Sequence, residues 1–120
     1  LTNEALINKL NSKYKRSKKI DAKLFESLPS EKLDAKVSNL IKNLVSLTPQ
    51  KITFEITYDK SIYFTLIFKE ITIYFDMYFE EENGFDSVFF IYKDQQCIAN
   101  GEGNSKTAFP KLKKIIPDFS

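Results

Sequence analysis

Tyrosines and carboxylates are the side chains in this 120-residue sequence whose spacing most suggests chemistry. Tyr74, Asp76 and Tyr78 alternate along one stretch, Glu80, Glu81 and Glu82 follow, and Tyr63 stands in the apolar segment before. Two carboxylates can share acid and base work across a glycosidic bond, or gather oxygens around a hard cation. The spacing here matches no calcium loop and defines no acid pair, so neither a catalytic residue nor a metal ligand is assigned. Histidine is absent, which removes Ser-His and Cys-His nucleophile pairs, His-based zinc sites and the usual general base near neutral pH. The lone cysteine, Cys97, rules out cysteine-rich zinc or iron–sulfur sites within one chain and is expected to be a small buried hydrophobe. Gly101-x-Gly103 ahead of a helix has part of the spacing of a phosphate-cradling loop. It lacks the third glycine and the Gly-Lys-Ser/Thr ending, so it reads as a flexible turn entering a helix. No cofactor is implied, and the expectation is a protein that is not an enzyme.

Two surfaces remain for recognition. The first is the tyrosine and acidic face carrying Tyr63, Tyr74, Asp76, Tyr78 and Glu80, with Glu55 nearby. Tyrosine offers a large contact area, a polar tip and a small entropy loss on docking, so this face is the expected protein-binding surface, suited to a basic partner. The plainer alternative is that the chain's own first helix or basic segment covers it. The second surface is the run Lys13-Tyr14-Lys15-Arg16-Ser17-Lys18-Lys19. Nucleic acid would be contacted there through Lys13, Lys15, Arg16, Lys18 and Lys19, with Tyr14 free to stack. The run is short, however, and an acidic aromatic sheet is a poor platform for bases.

The elements that must position these residues follow from hydrophobic periodicity. Between about residues 51 and 100 the chain alternates apolar and polar residues with period two, the mark of half-buried strands. Ile52, Phe54, Ile56 and Tyr58 share one face, continued by Ile62, Phe64, Leu66 and Phe68, and by Ile71, Ile73, Phe75, Met77 and Phe79. Connections as short as Asp59-Lys60 and Lys69-Glu70 force antiparallel pairing, and Asn83-Gly84 supplies a tight hairpin turn. Val88 to Tyr92 is an unbroken apolar run, expected to be a strand covered on both faces and central in the sheet. By the same reading Phe89 and Ile91 join Tyr63, Ile67, Tyr74 and Tyr78 on the second face.

Ahead of the strands, Leu6, Ile7, Leu10 and Tyr14 predict a helix from Thr2 to about Lys13, capped by Thr2 or Asn3. Ile20, Leu24, Phe25 and Leu28 predict one or two further turns, ended by Pro29. Ser30 caps a better helix with a stripe of Leu33, Val37, Leu40, Ile41, Leu44, Val45 and Leu47, closed by Pro49 and placed on the first face of the sheet. After the strands, Thr107 is the expected cap of a terminal helix with Pro110 in its first turn, docked by Phe109, Leu112, Ile115 or Ile116, and Phe119.

The expected fold is therefore α+β: a four- to five-stranded antiparallel meander, about 51–100, with N-terminal helices and one C-terminal helix packed mainly on one face. Nothing divides the chain, and 42% hydrophobic residues suit a single domain over 1–120. No stretch approaches the roughly 20 apolar residues of a membrane span, so no membrane is expected. A single cysteine and no Asn-x-Ser/Thr sequon favour a reducing, cytoplasmic setting, while a start at Leu1 leaves secretion open had a leader been removed. Net charge is only +2, yet residues 1–50 hold ten Lys/Arg against five Asp/Glu and residues 51–100 four against nine. These features predict a small non-catalytic protein-binding module of the immunity, antitoxin or inhibitor kind, with a nucleic-acid-contacting accessory protein as the alternative. A homodimer pairing through the sheet is a further option.

Overall fold

The computed structural model describes residues 2–26 and 30–118. In chain order the elements are α1 (Asn3–Ile20), α2 (Ala22–Phe25), α3 (Ser30–Ser46), β1 (Lys51–Thr57), β2 (Ser61–Ile67), β3 (Thr72–Glu82), β4 (Phe85–Lys93), β5 (Gln96–Gly103) and α4 (Ala108–Ile115), closed by a 3-10 turn at Ile116–Asp118. The class is α+β, as the sequence predicts. The chain forms two compact units, residues 1–48 and 49–120. Among the described residues no helix is long and apolar enough to cross a membrane.

The first unit is helical. Thr2 Oγ1 accepts from the Ala5 backbone N–H at 3.1 Å and caps α1, satisfying one of the donors a helix start leaves open. Leu10 and Tyr14 are buried, whereas Leu6 and Ile7 are half-buried. α1 does not stop near Lys13 but runs on to Ile20. The basic run is thus helical, because Lys and Arg are good helix formers whose heads reach solvent from any side. α1 packs along α3. On α3 the predicted stripe of Leu33, Val37, Leu40, Ile41, Leu44 and Val45 is buried. Leu24 and Phe25 are half-buried and Ile20 is exposed, while Leu28 and Pro29 lie outside the described residues.

The second unit is a five-stranded antiparallel meander in the order β1-β2-β3-β4-β5. Its inner face is continuous: Phe54 pairs with Phe64, Phe64 with Phe75, and Phe75 with Phe89, the last two rings stacked at 6.3 Å. Three hairpin turns put non-glycine residues at positive φ, at Lys60, Asn83, Asp94 and Gln95. The Asn83-Gly84 and Asp94-Gln95 turns carry positive φ at both central positions, the backbone twist that two-residue hairpins favour. Tyr58 falls in the first of the three turns and is exposed.

The run Val88–Tyr92 departs from expectation. β4 is second from the sheet edge, and its residues alternate: Phe89 and Ile91 are buried, Phe90 is exposed, Val88 and Tyr92 are half-buried. Phe89 and Ile91 therefore lie on the inner face, not the outer one. The cause is an irregularity in β3. Glu82 pairs with Phe85 but Met77 pairs with Ser87, so Tyr78 to Glu81 stand against Asp86 alone. That excess of residues on β3 is odd, and an odd shift exchanges the faces of a strand.

β5 also runs further than expected, through Gly101 to Gly103. Gly101 pairs with Phe89, and a Cβ at 101 would sit 2.5 Å from the Phe89 ring. The ring lies over bare backbone that no other residue type would leave open. At Gly103 a Cβ would collide with Thr107 and Ala108, where α4 packs beside β4 and β5. The Asn104 side chain accepts from the Lys106 and Thr107 N–H groups at 2.8 and 3.2 Å and so turns the chain into α4. Thr107 is the cap residue, and Ala108 and Leu112 are buried. Phe109, Ile115 and Ile116 are half-buried; Phe119 lies outside the described residues. Cys97 is exposed, not buried, because it follows the tight Asp94-Gln95 turn and sits beside the irregularity between Ile91 and Tyr92.

Gly101→Ala should lower stability by about 1–3 kcal/mol through overpacking against Phe89. Urea denaturation followed by circular dichroism measures it; an unchanged midpoint would show that the ring moves aside at no cost.

Candidate functional site

The outer face of the sheet brings together the residues that the sequence singles out. Tyr63 on β2 stands directly across from Asp76 on β3, and Ser61 across from Tyr78. Tyr74 pairs with Phe90, Asp76 with Val88 and Thr72 with Tyr92 on β4. The Tyr63 and Tyr74 rings are 5.9 Å apart and tilted by 34°, and Tyr74 meets Tyr92 edge-on at 5.4 Å. The second is the T-shaped arrangement that aromatic quadrupoles prefer. Tyr92, Phe90 and Val88 are members of this face that sequence reasoning missed, for want of the irregularity in β3. A residue count around Asn83-Gly84 gives no sign of it.

Asp76 is the polar centre of the face. It is half-buried, and its Oδ1 is shielded from water with no hydrogen-bond partner among the described residues. Burial holds its carboxyl above the ordinary value of 3.8, and the charge of Asp59 adds to that, while hydrogen bonding from Ser61 and Tyr78 works the other way. The Asp76 charge in turn raises the Tyr78 hydroxyl, with burial contributing. Burial raises Tyr63, helped by Tyr74, Asp76, Tyr92 and Glu55. The net effect at each of these three groups disfavours negative charge. Among the described residues Asp76 forms no ion pair.

Glu80 lies within the irregular stretch of β3 and is exposed. With Tyr78 it lines a cleft of about 700 Å³ at the hairpin end of the sheet, whose other walls include Asp59, Glu82, Phe85 and Glu102. Asp86 also lines it, buried, with its Oδ1 accepting from Ser87 Oγ at 2.7 Å. At the opposite end, Tyr74 and Tyr92 line a second hollow of about 240 Å³. The tyrosine row thus runs from one hollow to the other. Among the described residues no group of three His, Cys, Asp or Glu side chains is arranged to hold a metal ion.

The basic segment is distributed around α1. Tyr14 is buried, and its hydroxyl donates to Asp34 Oδ1 at 2.8 Å, so the ring is not open to stacking. Burial, followed by the bond to Asp34 and its charge, drives the Tyr14 hydroxyl far above the ordinary tyrosine range. Lys18 Nζ binds the same carboxylate at 2.8 and 3.1 Å and Ser30 Oγ at 2.6 Å, and it lies 5.8 and 5.9 Å from the Tyr14 and Phe25 ring centres. At Asp34 burial pushes the pKa up, but hydrogen bonds from Lys18, Tyr14 and Ser30 and the Lys18 charge outweigh it. Tyr14 and Lys18 are therefore taken up in joining α1 to α3 through Asp34. Lys13 is half-buried and engaged, while Lys15, Arg16 and Lys19 are exposed.

Because the folded-state pKa of Asp76 is raised, its ionised form opposes folding above that pKa, and stability is regained as pH falls through it toward 3.8. Asp76→Asn should therefore raise the urea midpoint at neutral pH, with the advantage over the parent shrinking on acidification. A variant less stable than the parent at neutral pH would show that the carboxylate is compensated. Comparison with protein-family models, with curated proteins and with solved structures finds no match to this chain.

Proposed function

We propose that this chain is a small non-catalytic protein-binding module, of the immunity, antitoxin or inhibitor kind, and that it docks its partner on the outer face of the sheet. The observation that carries the reading is Asp76 Oδ1, a shielded acceptor without a hydrogen-bond partner among the described residues, set in a row of tyrosines. Leaving such an acceptor unpaired costs about 1–3 kcal/mol, and a donor from a partner would recover it. Tyr78, Phe90 and Ile67 on the same face are 37–39% exposed, so apolar area is also available for burial. Aromatic anchors around one desolvated polar group are the usual composition of a binding hot spot. The carboxylates of Glu55, Glu80 and Asp59 around the tyrosines favour a basic partner surface, with Arg or Lys as the donor to Asp76.

The double variant Tyr74→Ala/Asp76→Lys should abolish capture of the partner while the circular dichroism spectrum and melting transition stay those of a folded domain. Capture is read by pull-down with mass spectrometry, parent and variant side by side. Undiminished capture of the same partner by the folded variant would remove this face as the docking surface.

A further inference from the structure

From Ala5 to Ile20, α1 carries six cations and no carboxylate. Lys18 is committed to Asp34, and Lys13 is half-buried and engaged. Lys9, Lys15, Arg16 and Lys19 are exposed and form no ion pair among the described residues. At 3.6 residues per turn these four fall within roughly a third of the helix circumference, together with Asn8 and Ser12. Lys15 and Lys19 also line a cleft of about 730 Å³ beside α3, along with Asn8, Asn11, Ser38 and the paired Lys18 and Asp34. On α1 the result is one strip of cations and neutral donors, with the one carboxylate of the adjoining cleft, Asp34, taken up by Lys18.

We infer that this strip of α1 contacts the phosphodiester backbone of a nucleic-acid duplex, independently of the sheet face and without reading base sequence. Charge complementarity points to a polyanion, since four unpaired cations on one face repel one another and gain from a row of phosphates. The apolar side of α1 argues against a lipid surface. A membrane-lying helix needs that side to insert, but Leu10 and Tyr14 are buried here, Ile20 alone of the helix's large apolar side chains being strongly exposed. Single strands are bound by stacking on aromatic rings, and Tyr14, the aromatic of the basic run, is buried. What remains on the strip are long cationic side chains and amide donors, which suit phosphate oxygens.

The test is fluorescence anisotropy of the full chain with a labelled duplex of mixed sequence, roughly 20 base pairs long, in salt rising from about 50 to about 200 mM. With about four phosphate contacts, affinity should fall on the order of a hundredfold over that range, a slope near −4 in log K against log salt. In Lys15→Gln/Arg16→Gln/Lys19→Gln the slope should drop to about −1, because one contact remains. Lys15→Arg/Lys19→Arg should keep the parent behaviour. Circular dichroism confirms that each variant is folded, and all these positions are exposed. No anisotropy change at the lowest salt would overturn the inference. So would a triple variant that binds like the parent, a single strand captured more tightly than the duplex, or binding to anionic vesicles without binding to the duplex.

Discussion

Everything on the outer face depends on the pairing of β3 with its two neighbours. Antiparallel pairing fixes which residues face each other, and period-two alternation fixes which side each one takes. On the inner side Ile73, Phe75, Met77 and Phe79 are buried beside Phe64 and Phe89. Burying that set leaves Tyr74, Asp76 and Tyr78 no choice but the other side. Large aromatic side chains bury a great deal of apolar area, so the register is strongly specified by the core. The candidate site takes its geometry from this register.

The two units use their aromatic hydroxyls in opposite ways. In the helical unit Tyr14 is buried, and its hydroxyl is taken up by Asp34, which Lys18 neutralises. That arrangement is closed: donor, acceptor and counter-charge are all present. On the sheet, Tyr63, Tyr74 and Tyr78 surround Asp76, which forms no ion pair among the described residues. A satisfied polar cluster stabilises its own unit, whereas an incomplete one is a standing cost that a second molecule can remove. This contrast separates the structural tyrosine from the tyrosines of the candidate site more sharply than exposure alone.

Much of the architecture is legible in the sequence, for reasons that vary with the element. The meander is readable because Lys51 to Phe79 alternates cleanly and the connections are too short for anything but hairpins. The stripe of α3 is readable because steps of three and four persist over its whole length. Tyr63, Tyr74, Asp76 and Tyr78 come together as their alternation implies. Other features are not encoded in any local pattern. The end of α1 was hidden by a charge run that looks like a linker but has good helix propensity. The partners of Tyr14 and Lys18 come from Asp34, far along the chain. The Asp94-Gln95 turn lacks the glycine that usually announces one, and β5 continues through two glycines because Phe89 needs the space above Gly101.

The uneven pairing between Met77 and Phe85 has a bearing on which length changes the protein can survive. Residues added at the tip, around Asn83-Gly84, would extend a solvent-exposed turn and leave the strands as they are. Losing one residue between Tyr78 and Glu81 would turn the second half of the sheet over, sending Phe89 and Ile91 into water and Phe90 and Tyr92 into the core. Descendants of this chain can therefore vary the tip freely, while that short segment must keep its count even where its side chains change.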